Sequence, residues 1–152
     1  MSVAARRSSA FAPMDIVIGF ASGALSVLIF QMGVGAILHG FGLTPNAPYS
    51  MAPTSPFGVP QSLSGAFWGG LWGILLFAIL RQAESEFRYW LTAILFGAFA
   101  VGGVLLFVVL PLKGRPFAAG WNPNTIGLIL CLHAVFGFGA AVFIRLFGTV
   151  RR

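Results

Sequence analysis

Two polar side chains interrupt otherwise uncharged, oily stretches of this chain, and they are the first candidates for chemistry. Gln31 stands in "LIFQMGVG" and His133 in "ILCLHAVF". A polar group inside an apolar segment costs free energy unless it is paired, so such residues mark hydrogen-bonded clasps, ligand sites or proton paths. Helical rise places Gln31 about 12 Å below His39, and His133 enters its own segment to a similar depth from the same side. The matched depths predict that Gln31 and His133 face each other and share a hydrogen bond. The bland reading is a clasp between two helices; the sharper one gives His133 a ligand or a proton to hold.

Trp68 and Trp72 form the second constellation. They stand four apart beside Gly65, Gly69 and Gly73, so a floor without side chains flanked by two indoles could hold a flat ligand. A haem, a quinone or an acyl chain would fit such a slot, although indoles more often simply fill space. Bis-histidine haem ligation is excluded by depth: His39 lies at a segment end and His133 well inside, too far apart for one iron. No cofactor is therefore predicted; haem or quinone remains the alternative that the His133, Gln31, Trp68 and Trp72 group keeps open.

Other chemistries lack their parts. The three acidic residues, Asp15, Glu84 and Glu86, lie outside the apolar interiors. No nucleophile–base pair, metal-ligand cluster or phosphate-binding loop is present in the pattern of residues. Cys131 is the single cysteine, which rules out an internal disulfide and a cysteine-pair redox centre. Small multidrug exporters depend on an embedded glutamate, and no carboxylate lies within the apolar segments here. Glu84 and Glu86 share "RQAESEFRY" with Arg81 and Arg88 and read as a solvated, self-neutralising loop.

The elements that would position these residues follow from hydropathy. The chain has 152 residues, of which 58% are hydrophobic and nine basic and three acidic carry charge. No Asp, Glu, Lys or Arg occurs from Ile16 to Leu80, from Tyr89 to Leu112, or from Pro116 to Ile144. So little polar surface cannot cover a water-soluble globule. At about 20 residues per crossing, the sequence predicts an all-α integral membrane protein. Its single domain, 1–152, has four transmembrane helices near 16–39, 62–80, 90–110 and 126–147. Pro13 and Asp15 suit the first helix start, "NPNT" caps the fourth, and Pro111 ends the third. A basic start interrupted by Asp15, before a run too long for a signal core, favours a spanning helix over a cleaved signal.

Seven arginines (6, 7, 81, 88, 145, 151 and 152) fall on one side, against Lys113 and Arg115 on the other. The imbalance predicts both termini in the cytoplasm, with 40–61 and 111–124 outside. It also argues against dual-topology transporters, which need balanced loops. The net charge of +6 reflects these helix ends and not a nucleic-acid patch.

Small residues recur at four-residue spacing: Gly19 and Gly23 in the first helix, Gly65, Gly69 and Gly73 in the second, and Ala93 with Gly97 and Ala98 with Gly102 in the third. Aligned small residues let helix backbones approach closely, either within the bundle or at a seam with a partner. Two hairpins in one orientation hint at a duplicated unit, without residue-level identity between the halves. The loop "HGFGLTPNAPYSMAPTSPFGVPQS" has five prolines and no charge. Proline fixes backbone angles and removes donors, so this reads as a preformed cap on the helix ends. Phe41, Tyr49, Met51 and Phe57 would offer its apolar surface to a partner.

The first half of the chain, especially "LTPNAPYSMAP" and "PFGVP", resembles a group of small uncharacterised multi-span inner-membrane proteins of alphaproteobacteria. The resemblance implies a bacterial plasma-membrane location and transfers no functional residue. The function expected is a non-enzymatic accessory or assembly subunit, partnered by lipid and by another protein or further copies of itself. The alternatives are an oligomeric small-solute channel or transporter lined by Gln31 and His133, a haem- or quinone-binding electron carrier, and a lipid-active enzyme.

Overall fold

The computed structural model describes residues 11–45 and 47–150, with the side chains of Thr149 and Val150 left aside. Arg6, Arg7, Arg151 and Arg152, which enter the charge asymmetry, lie outside the described residues, as does Asn46 of the proline-rich loop. Four helices are long and apolar enough to cross a membrane: α1 Pro13–Gly40, α2 Gln61–Leu80, α3 Glu86–Leu112 and α4, whose apolar span is Pro123–Gly148. α1, α3 and α4 start three or four residues before the apolar segments read from sequence and α2 one residue before, because first turns use polar residues and prolines that hydropathy discards.

The caps are visible. The Ala12 N–H donates to Asp15 Oδ2 at 3.0 Å with Pro13 opening α1. Ser85 Oγ accepts from the Arg88 N–H and starts α3. Asn122 Oδ1 accepts from the Asn124 and Thr125 N–H groups at 3.0 and 3.2 Å, ahead of Pro123 in the first turn of α4. Each bond satisfies a donor that the first helical turn leaves without an intrahelical partner. Pro111 sits inside the last turn of α3, which ends one residue later at Leu112.

The helices pair as two hairpins joined along α1 and α4. In the first hairpin, Gly19 and Gly23 of α1 meet Gly69 and Gly73 of α2. A methyl group at Gly23 would overlap the Gly69 carbonyl, and one at Gly19 would lie 2.7 Å from the Ile74 Cα. In the second, Ala93 and Gly97 of α3 meet the backbone of α4 at His133 and Gly137. Such contact requires the absence of a side chain, since backbone atoms cannot turn aside. Both hairpins thus close through small residues four apart.

The α1–α4 seam is different: Gly139 lies under Phe30 and Ser26, and Ser26 Oγ donates to the Phe136 carbonyl at 2.6 Å. Phe136, 1% exposed, fills the centre with Val27 and Val101, flanked by Trp72 and Phe96. Leu76, Leu80, Ala93, Ala140, Ala141 and Ile144 form a second cluster nearer the end that carries Arg81 and Arg145.

Wider π-type turns occupy Ser26–Gln31 of α1 and Phe96–Val101 and Leu105–Val109 of α3. A π turn shifts the hydrogen-bond ladder by one residue and leaves carbonyls for other donors. Within the α1 turn, Leu28 O accepts from the Tyr49 hydroxyl at 2.9 Å.

Candidate functional site

The predicted Gln31–His133 hydrogen bond is not formed. His133 Nδ1 pairs with the Ile129 carbonyl of its own helix at 2.7 Å, and its Cβ lies against Gly102 of α3. Height was not the obstacle. With α1 and α4 antiparallel, the Ser26–Phe136 contact sets Gln31 within about two residues of the level of His133. The direction around each helix was, because His133 turns to α3 while the π turn rotates the end of α1. The polar clasp between α1 and α4 is Ser26 instead, fully buried and bonded to a backbone carbonyl.

The indole slot is likewise closed. Gly69 and Gly73 are covered by the α1 backbone and Val27, so the floor between the tryptophans is already occupied by protein. Trp72 packs edge-on against Phe96 with centroids 5.8 Å apart. Trp68 is 60% exposed and touches Phe67. The four residues Gln31, Trp68, Trp72 and His133 therefore do not converge on one cavity. The other histidine, His39, closes the end of α1 by a 2.8 Å contact between Nδ1 and the Thr44 carbonyl.

Of the predicted packing glycines, Gly19, Gly23, Gly69, Gly73 and Gly97 lie at backbone–backbone contacts. Gly65 meets the Met32 and Val27 side chains, and Gly102 the Leu130 and His133 side chains and the Gly97 carbonyl of its own helix, all at 3.2 Å or more. Gly137 and Gly139 were missed. The run "FGFGAA" was the available signal, since small residues there sit on both sides of α4.

At the charged end, the loop between α2 and α3 does not neutralise itself. Glu84 does pair with Arg88, at 3.2 Å, on the surface. Glu86 instead makes a two-pronged pair with Arg145 of α4, whose guanidinium also lies 5.6 Å from the Tyr89 ring centroid and 5.7 Å from that of Trp90. Arg81 reaches the buried Asp15 of α1 at 4.0 Å. These pairs join helix ends across the bundle. A shallow open depression lies beside them, lined by Ile79, Gln82, Ala83, Glu84, Arg88 and Thr92, and includes none of the predicted site residues. Among the described residues, no three His, Cys, Asp or Glu side chains come together.

The proline-rich loop is the most constructed irregular segment. Pro53–Thr54 and Val59–Pro60 pair antiparallel as β1 and β2, with the Thr54 hydroxyl donating to the Val59 carbonyl at 2.7 Å. Ser50 O accepts from the N–H and hydroxyl of Ser62, at 3.0 and 2.8 Å, and Ala52 O accepts from the Gln61 N–H at 3.0 Å. The loop thereby serves as the N-terminal cap of α2. Tyr49 takes a left-handed backbone, φ 55°, a conformation that persists for a bulky residue only when its surroundings enforce it. Its hydroxyl bond to Leu28 O is that enforcement. From this fastened frame Phe41 and Phe57 project with 77% and 87% of their surface exposed, alongside Leu43 and Met51.

Comparisons with known proteins return no matching family, no matching curated protein and no matching solved structure.

Proposed function

We propose that this chain is a non-enzymatic accessory or assembly subunit of a bacterial inner membrane, working through contact. Both termini lie in the cytoplasm, and the proline-rich end faces the opposite side. The orientation is supported by the described charges: Arg81, Arg88 and Arg145 share one end, while Lys113 and Arg115 follow α3 at the other.

One observation carries the reading. The proline-rich loop is fastened by hydrogen bonds to α1 and α2, yet Phe41, Leu43 and Phe57 are left exposed. Ordering backbone costs about 1–2 kcal/mol per residue, so a loop that turns its large apolar groups outward is built for a second surface. The glycine seams are consumed within the bundle, which leaves the loop as the main element offered to a partner protein.

The test is purification of the tagged chain in mild detergent, with protein mass measured by light scattering. A stoichiometric second protein, lost on combined Phe41→Ser and Phe57→Ser substitution while the helical signal stays intact, supports the reading. A solitary chain, or a complex indifferent to these substitutions, overturns it.

A further inference from the structure

The connection between α3 and α4 carries two cations that no carboxylate of this chain reaches. Lys113 and Arg115 are exposed. The three acidic side chains all lie at the opposite end of the bundle, where Asp15 approaches Arg81, Glu84 pairs with Arg88 and Glu86 with Arg145. α3, 27 residues from Glu86 to Leu112, separates the two ends by about 40 Å. That is several times the screening length of about 8 Å in physiological salt.

Both cations stand on fixed backbone. α3 ends in a Schellman turn, in which the Gly114 N–H donates to the Pro111 carbonyl and the Arg115 N–H to the Leu110 carbonyl, both at 2.9 Å. Gly114 takes the left-handed conformation that this turn needs, φ 68°. An apolar residue commonly stands where Arg115 does. Four left-handed residues then follow in a row, Ala118, Ala119, Gly120 and Trp121, at φ 49°, 53°, 65° and 58°. Three of them are not glycine, and such residues keep this conformation only where their surroundings enforce it. Ala118 is fully buried, and Asn122 caps α4 immediately afterwards. Phe117 and Trp121, at the two ends of this turn, close a cluster with Phe107 of α3, ring centroids 5.3, 6.2 and 6.3 Å apart. All three rings are nonetheless exposed, as is Leu112 next to Lys113.

Exposed rings and unneutralised cations at one helix end match the two parts of a phospholipid. Aromatic rings suit the glycerol and upper acyl carbons, and basic side chains suit the phosphate. We infer that this connection binds anionic phospholipid, with Lys113 and Arg115 on the headgroup phosphate and Phe107, Phe117 and Trp121 against the glycerol region. The connection follows the last residue of the α3 span, so no irregular backbone has to enter the acyl layer. The inference rests on the helices crossing the membrane, holds for either orientation and needs no protein partner. Cations near a helix C-terminus also suit the helix dipole, but that effect does not select among lipids.

The test reads lipid selection. A fluorophore is attached through Leu112→Cys or, separately, through the mid-helix Phe99→Cys, in a Cys131→Ala background. These residues, Lys113 and Arg115 are all exposed, and an unchanged helical circular dichroism confirms the fold. Vesicles mix phosphatidylglycerol with phosphatidylcholine, one of the two carrying brominated acyl chains, and quenching gives the relative affinity at each position. One basic side chain near an anionic surface contributes about fivefold, so position 112 should prefer phosphatidylglycerol by roughly tenfold in low salt and position 99 by less than about twofold. Combined Lys113→Gln and Arg115→Gln substitution should reduce position 112 to the value at position 99, while Lys113→Arg with Arg115→Lys retains the preference. Equal affinities at position 112, or a preference that survives the glutamine pair, overturn the site. A preference erased by inorganic phosphate but not by chloride of equal ionic strength marks a free-anion site and overturns the lipid reading. An unquenched position 99 overturns the spanning reading and the inference with it.

Discussion

Replacing Gly23 with Ala adds one methyl group where the structure has no room for it. The new Cβ would overlap the Gly69 carbonyl and lie 2.9 Å from the Gly73 Cα. These are backbone atoms of a facing helix, so no rotamer change relieves the overlap, and α1 and α2 must move apart. Overpacking of this kind costs about 1–3 kcal/mol. Alanine is better than glycine in a helix interior by about 0.5–1 kcal/mol, which offsets part of the loss. The expected net effect is a destabilisation of about 1–2 kcal/mol. Gly33 supplies the control, since its position has nothing within 4 Å. There Ala should be neutral or stabilising by up to about 1 kcal/mol. Unfolding in mixed micelles with rising dodecyl sulfate, followed by far-ultraviolet circular dichroism, gives both values. If Gly23→Ala proves as stable as Gly33→Ala, the α1–α2 seam does not have the closeness described.

Three further outcomes follow from the polar groups. Ser22 Oγ is fully buried without a hydrogen-bond partner, while Ser26 bonds to the Phe136 carbonyl. The same unfolding assay should therefore find Ser22→Ala neutral or stabilising and Ser26→Ala destabilising by about 1 kcal/mol. Gln31→Leu and His133→Leu, combined in a double-mutant cycle, should add within about 0.5 kcal/mol because the side chains do not pair. Tyr49→Phe removes the hydroxyl that holds the loop to Leu28, so amide exchange at Ser50–Ala52 should quicken while the helix cores stay protected.

The parts that were legible in sequence are those governed by one-dimensional patterns. Uncharged lengths located the helices, Asn122 and Asp15 sat where caps belong, and four-residue glycine spacing marked the α1–α2 seam. Facing direction was not legible. Gln31 and His133 were matched in height, but a π turn of six residues in α1 changes where the following side chains point, and nothing in "SVLIFQ" announces it. The charged loop misled for a related reason: Arg81 and Glu86 have near neighbours of opposite sign in sequence, yet their partners Asp15 and Arg145 come from other helices. Gly137 was overlooked because its contact is with Ala93 and Gly97, a pairing visible only once α3 and α4 are side by side.

The central claim, that the chain acts by presenting its proline-rich end to another protein, is tested most directly by photo-crosslinking in native membranes. A photoreactive residue at Phe57 and another at the lipid-facing Phe99 would be illuminated in parallel. The account predicts a discrete protein adduct from position 57 and lipid adducts alone from position 99. A lack of any protein adduct at 57, or the same adduct from both positions, would contradict it.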